Sequence, residues 1–257
     1  MAVVPESCPL CQNKGLLLLE TGAMPCKCVQ EKQKIRQRLK AGLSPEMWEY
    51  RFDRFSMTYY SKEICYPEKS ITYYQGARRA LQAAKEFIQE FTQDPQTSGL
   101  MLVGPVGSGK TYLAAAICNA LLDRQIDIQF LVVPDFLDEL RASFRRPLWV
   151  ANRNEELDDN EPLIERVRSV PLLVLDDLGA HNYTEWTRNT LYTLLNYRLN
   201  YRLPVIITTN LGWREMDEVL GERITSRIIQ LCRNFPLMVE TDIRHLKFQQ
   251  REARYRR

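Results

Sequence analysis

Eight consecutive residues, Gly104-Pro105-Val106-Gly107-Ser108-Gly109-Lys110-Thr111, have the composition of a phosphate cradle. Gly104, Gly107 and Gly109 let the backbone turn so that successive N–H groups aim at phosphate oxygens, with the positive end of a following helix behind them. Lys110 is spaced to reach the outer phosphates of a nucleotide such as ATP, and the Thr111 hydroxyl to ligate Mg2+. The pattern has weight only between a strand and a helix. Both flanks are present: the apolar run Gly99-Leu100-Met101-Leu102-Val103 before it, and Tyr112-Leu113-Ala114-Ala115-Ala116-Ile117 after it.

Two carboxylates, Asp176 and Asp177, stand at the end of the apolar run Val170-Pro171-Leu172-Leu173-Val174-Leu175. Ligands of open parallel sheets sit at the carboxyl ends of the strands, beside a phosphate loop. There Asp176 would hold magnesium, directly or through water, and Asp177 would orient or deprotonate an attacking water. A further run, Pro204-Val205-Ile206-Ile207-Thr208-Thr209, delivers Asn210 to the same edge, where an amide can hold the water and the terminal phosphate. A second chemistry lies near the start. Cys8-Pro9-Leu10-Cys11 and Cys26-Lys27-Cys28 flank a stretch containing Gly15 and Gly22, a knuckle, hairpin and knuckle order suited to tetrahedral thiolate ligation of Zn2+. So short a segment cannot build its own core and needs such a staple.

The elements that position these groups follow from periodicity. Thr72 to Gln93 carries Ala77, Ala80, Leu81, Ala84, Phe87, Ile88 and Phe91 at helical spacing. Strands are expected at 99–103, 126–133, 170–175, 204–209 and 236–240, alternating with helices. That alternation gives an α/β fold with a central parallel five-stranded sheet covered on both faces. The helix from Thr184 to Tyr201 is expected to bury Leu191, Leu194, Leu195 and Leu199, leaving Arg188, Arg198 and Arg202 outside. Gly221 to Ile229 reads as a short helix with Arg223 and Arg227 on one face. Val29 to Lys40 is a basic helix, either a solvated connector or a contact surface for a partner or nucleic acid. Trp48, Tyr50, Phe52 and Phe55 pack on the next domain, or one of them stacks on a base.

The 257 residues are 45% hydrophobic with a net charge of +3, enough apolar content for a core and too little charge for a general polyanion binder. No apolar run approaches a spanning helix, and Met1-Ala2-Val3-Val4-Pro5-Glu6 lacks the positive flank of a signal peptide, so a cytoplasmic protein is expected. Seven cysteines in such a compartment are read as metal ligands or core, with Cys65, Cys118 and Cys232 in the second class.

These segments resemble the AAA+ ATPases, and within them the helicase loaders of the DnaC and DnaI type, with the IstB transposition helper as a near relative. The carriers are GPVGSGKT at 104–111, LLVLDDLG at 172–179, NYRLNYRLPVIITTN ending at Asn210, GERITSRI at 221–228 and TDIR ending at Arg244. The resemblance implies an AAA+ P-loop fold at 61–257, preceded by a zinc-binding, helicase-docking module at 1–60. It makes Asn210 sensor 1, Arg227 the arginine finger offered to a neighbouring subunit in preference to Arg223, and Arg244 a sensor 2 candidate. The implied partners are a replicative DnaB-type helicase, single-stranded DNA and further copies of the chain. Phe144, Arg145 and Arg146 are candidate pore contacts to DNA, or simply positive charge at a helix end. Few residues follow Glu240, so the helical lid common in the superfamily is not expected. The rival readings are an IstB-like helper of a transposase, a P-loop kinase for a small molecule, and an ATP switch that scarcely hydrolyses.

Overall fold

A computed structural model describes residues 8–19, 22–67, 70–145, 163–180 and 183–255. A hairpin of β1 (Leu16–Leu19) and β2 (Gly22–Pro25) leads into helix α1 (Lys27–Lys40), then three 3-10 turns at Pro45–Glu49, Phe52–Arg54 and Met57–Tyr59. The remainder runs α2 (Tyr73–Gln93), β3 (Gly99–Val103), α3 (Lys110–Leu122), β4 (Ile128–Val132), α4 (Val133–Arg145), α5 (Leu163–Ser169) and β5 (Leu172–Leu178). It continues with α6 (Glu185–Asn200), β6 (Val205–Thr209), α7 (Trp213–Leu220), α8 (Glu222–Leu231), β7 (Cys232–Pro236) and α9 (Ile243–Tyr255).

Five of these strands form one parallel sheet in the order β4-β5-β6-β3-β7. Alternate residues of its inner strands go to opposite faces, as the two-residue period of a strand requires. Leu100, Leu172, Val174 and Ile206 pack under α2 and α3, while Met101, Leu173, Leu175, Val205 and Ile207 pack under α4, α6, α7 and α8. Sequential order reverses at β3, which lies between β6 and β7 although β4 follows it in the chain. Such a switch opens a crevice at the carboxyl ends of the strands, the place where a ligand fits an open α/β sheet.

The chain between α1 and α2 belongs to the core by packing. Ala41, Leu43 and Trp48 join the cluster of Phe87, Phe91 and Phe130, and Tyr60 joins Leu102, Leu113 and Leu237. Helix α2 begins with a reciprocal cap: the Gln75 amide N–H donates to Thr72 Oγ1 at 3.2 Å, and the Thr72 N–H donates to Gln75 Oε1 at 3.0 Å.

Two expectations change. The last strand is Cys232–Pro236, not 236–240. Leu237 and Val239 are buried, but as an extended segment packed beside the phosphate loop. Arg198 is fully buried, not outside α6. It donates through Nη1 to the carbonyls of Val167, Arg168 and Val170, and through Nη2 to those of Pro171 and Pro204. One guanidinium thus closes the turns that feed β5 and β6. The basic carboxyl-terminal segment forms α9, a single helix whose start lies on the phosphate loop, with the Ile243 N–H donating to Gly107 O at 3.2 Å. The side chains of Phe144 and Arg145, and all of Arg146, lie outside the described residues.

Candidate functional site

The phosphate loop joins the end of β3 to the start of α3, so its backbone amides precede the positive end of a 13-residue helix. Gly107 and Gly109 have φ of 71° and 94°, the left-handed region that favours glycine. Gly107 is constrained a second time. A Cβ there would lie 1.9 Å from Oδ1 of Asp242, whose carboxylate rests on the loop while Oδ1 accepts the Arg244 N–H at 2.7 Å and so caps α9.

Lys110 is buried, and its ammonium donates to the carbonyls of Gly104 and Pro105, both at 2.8 Å. Burial lowers its pKa, and the charges of Asp177 and Asp176 work in the other direction. The Thr111 hydroxyl donates to the Asp176 carboxylate at 2.9 Å, and the Thr208 hydroxyl donates to Asp176 Oδ1 at 2.6 Å. Burial raises the Asp176 pKa above the usual value, with the hydroxyl bonds from Thr208 and Thr111 opposing it. A threonine, a carboxylate and an ammonium in one buried group form an oxygen-rich set suited to magnesium beside phosphate.

Asp177 follows inside a register shift of β5 against β6, between Leu175 and Leu178, with φ of 59°. Its N–H donates to Thr208 Oγ1 at 2.9 Å. The irregularity re-aims one side chain, as bulges do: Asp176 stays buried and Asp177 is exposed to the pocket. Asn210, directly after β6, lines the same pocket.

The cavity has a volume of about 500 Å³, within the range of small-molecule sites. Away from the loop it is walled by Met47, Tyr50, Phe55, Tyr59 and Tyr60. Tyr50 stacks on Tyr112 with centroids 4.4 Å apart, and the Tyr60 hydroxyl donates to Ser108 O at 2.8 Å. Sequence reasoning placed only Tyr50 and Phe55 in this region and left their role open. From α9, Arg244 and Lys247 line the pocket too. Arg227, on α8, is not part of it: its Nε donates to Asn196 Oδ1 at 3.0 Å, and its guanidinium lies 5.7 Å from the Tyr192 ring centre. Arg223 is exposed on the same helix.

The four amino-terminal cysteines come together. All four sulfurs lie within 4.8 Å of one another, with Cys8 and Cys26 Sγ 3.8 Å apart and Cys11 and Cys28 Sγ 3.3 Å apart. Zn–S bonds of about 2.3 Å in a tetrahedron put sulfurs about 3.8 Å apart, so the set fits zinc. The close C-x-C spacing has a local cause: Cys26 is the cap of α1 and Cys28 lies in its first turn, where helix amides favour thiolates.

With this geometry in view, comparison with known proteins becomes specific. A family model described as IstB-like ATP binding protein matches residues 77–242, well over half the chain. The chain belongs to that family. It is similar to the replicative helicase loader DnaI of Bacillus subtilis, 28% identical over 164 residues, which are 59% of this chain and 49% of DnaI. It is also similar to the replicative helicase loader DnaC of Escherichia coli K12, 29% identical over 154 residues, 60% of this chain and 58% of DnaC. The chain thus matches about half the length of these curated relatives. A crystal structure of the DnaC helicase loader superposes with a TM-score of 0.57 at 25% identity, covering 77% of this chain and all of that one. The fold is therefore that of the AAA+ ATP-binding proteins. Among the described residues no helix is long and apolar enough to cross a membrane.

Proposed function

We propose that this protein is an ATPase that loads a replicative helicase onto single-stranded DNA. The observation that carries the ATPase part is the β5 irregularity: it sets Asp176 against the Thr111 hydroxyl and turns Asp177 into the same cavity. In this reading Lys110 and the loop amides hold the outer phosphates, and Tyr50, Phe55 and Tyr60 enclose the base. Thr111 and Asp176 hold magnesium, which when bound neutralises charge on the phosphates. Asp177 accepts the proton of the attacking water, and Asn210 holds that water against the terminal phosphate. Arg227 of one subunit completes the site of the next, and Arg244 senses the phosphate from α9. A finger of this kind is worth roughly a thousandfold or more in rate, which ties turnover to assembly.

The loader part is supported by the likeness to the loaders DnaC and DnaI and by the cysteine cluster, a second ligand-holding unit separate from the pocket. Docking to a DnaB-type helicase is assigned to that unit, which with α1 forms the amino-terminal module. A second reading, a helper ATPase of a transposase, is favoured by the description of the matching family.

Size-exclusion chromatography with light scattering, on the protein mixed with the replicative helicase of its own organism, separates the two readings. The loader reading expects a complex that Cys8→Ser with Cys11→Ser abolishes. No complex with ATP, with ADP or without nucleotide sinks it in favour of the transposase helper. Asp177→Asn is expected to lower ATP turnover about a hundredfold while ATP still binds. Turnover at the parent rate would remove Asp177 from the chemistry.

A further inference from the structure

Arg227 stands on the outer side of α8, a helix fixed to the core by the buried side chains of Ile224, Ile228 and Leu231. An arginine on an exposed helix face samples many rotamers. Here Nε–H is spent on the amide oxygen of Asn196, and the guanidinium lies over the Tyr192 ring. Asn196 and Tyr192 are four residues apart on α6, so they share one face of that helix and meet the arginine from the same side. Among the described residues neither terminal nitrogen of Arg227 has a hydrogen-bond partner. The fork that would take two oxygens of a phosphate is therefore left open, while the stem is held at its base.

We infer that Asn196 and Tyr192 are positioning residues for the trans-acting arginine, an inference that rests on the finger reading of Arg227. Their role is to hold the guanidinium plane with both terminal N–H pairs turned away from their own subunit. A neutral amide suits this place. It accepts one hydrogen bond from Nε without providing the anion that would draw the terminal nitrogens inward. The ring adds a flat, apolar surface that orients the plane and leaves its edge free. Helix α6 is the element between β5, which carries Asp177, and β6, which Asn210 directly follows, so one helix links the site of its own subunit to the arginine offered to the next. Misplacing a group by about 1 Å from its reacting partner can cost up to a hundredfold. The hold on Arg227 is thus a feature of rate and not of nucleotide affinity.

The test uses the full chain and two kinds of subunit. An acceptor carries Arg227→Ala, which binds ATP and offers no finger. A donor carries Lys110→Ala, which cannot hold ATP and still offers Arg227. Mixing them is expected to restore turnover that neither has alone. Adding Asn196→Ala to the donor should then reduce the restored rate about tenfold, and Asn196→Asp should not recover it, because its anion draws the terminal nitrogens inward. Tyr192→Leu should cost less, and Tyr192→Phe little. In a chain otherwise intact, Asn196→Ala should lower kcat and leave the Kd for a fluorescent ATP analogue and the thermal midpoint unchanged, a split that a merely structural role would not produce. Full restoration by the Asn196→Ala donor overturns the inference while leaving the finger in place. Turnover by the Arg227→Ala chain alone, or no restoration by the Lys110→Ala donor, overturns the finger reading and this inference with it.

Discussion

The four cysteine sulfurs come from residues 8 to 28, and among the described residues the buried cluster there is Cys8, Cys11 and Cys26 themselves, with Leu17 and Cys28 against them. The nucleotide pocket draws on residues from 47 to 247, and every strand beneath its phosphate loop is sealed by helices on two faces. Among the described residues the first site has little apolar packing to hold its shape, whereas the second takes its shape from a packed core. A metal would be a structural necessity in one place and a reagent in the other.

Removing zinc should break this comparison most visibly. Binding free energy at a structural zinc site is on the order of 10 kcal/mol and is folding energy for the unit that holds it. A strong chelator should therefore abolish amide protection from residue 8 through the first turns of α1 and leave protection in β3, β5 and β6 unchanged. Loss of protection in those strands as well would mean that the two regions fold as one. Next in size is Arg198→Ala, which leaves five carbonyls short of a donor inside the core. A loss of about 3–5 kcal/mol is expected in denaturant unfolding, confined to the ATP-binding region.

Gly107→Ala tests the pocket's preformed geometry on a smaller scale. It combines a left-handed φ with a Cβ placed on the Asp242 carboxylate, so α9 must move from the loop. A loss of about 1–3 kcal/mol in stability is expected, with weaker ATP binding by titration calorimetry. The smallest effect concerns pH. Burial holds Asp176 above the carboxylate value of 3.8. The native state then binds a proton more readily there than the unfolded chain does. The resulting increment of stability is fully present at low pH and is lost as pH rises through the folded-state value. In EDTA, Asp176→Asn should flatten this part of the stability profile and leave the protein slightly more stable at neutral pH. A profile identical to the parent's would locate the burial penalty elsewhere.

Legibility in the sequence follows the same division. The phosphate loop, Asp176 and the cysteine set are local patterns, and the structure brings each together as its spacing predicts. The pocket wall was less readable, because Met47 and Tyr59 sit on 3-10 turns and Tyr60 directly follows one, with no regular period. Strand β7 was displaced because Cys232-Arg233-Asn234-Phe235-Pro236 lies at a sheet edge, where alternation need not be apolar. The buried segment after it imitates a strand. Arg198 was misjudged by its charge, although a signal existed: it follows Leu191 by seven residues and Leu195 by three, the spacing of the buried face itself. A partner made wholly of backbone carbonyls leaves no trace in side-chain composition.

Asp123, at the end of α3, receives Arg38 of α1 and Arg51 of the turn segment on its two oxygens, and the Tyr112 hydroxyl at the other end of α3 donates to Arg51 O at 3.0 Å. Helix α1 is thereby pivoted near its carboxyl end, beside an element that starts at the phosphate loop, and carries the cysteine cluster at its far tip. Fourteen residues make an arm of about 20 Å. A tilt of roughly 10° at the pivot would swing the cysteine cluster by about 3–4 Å, so a small rearrangement at the phosphate loop is magnified at the far tip of the arm.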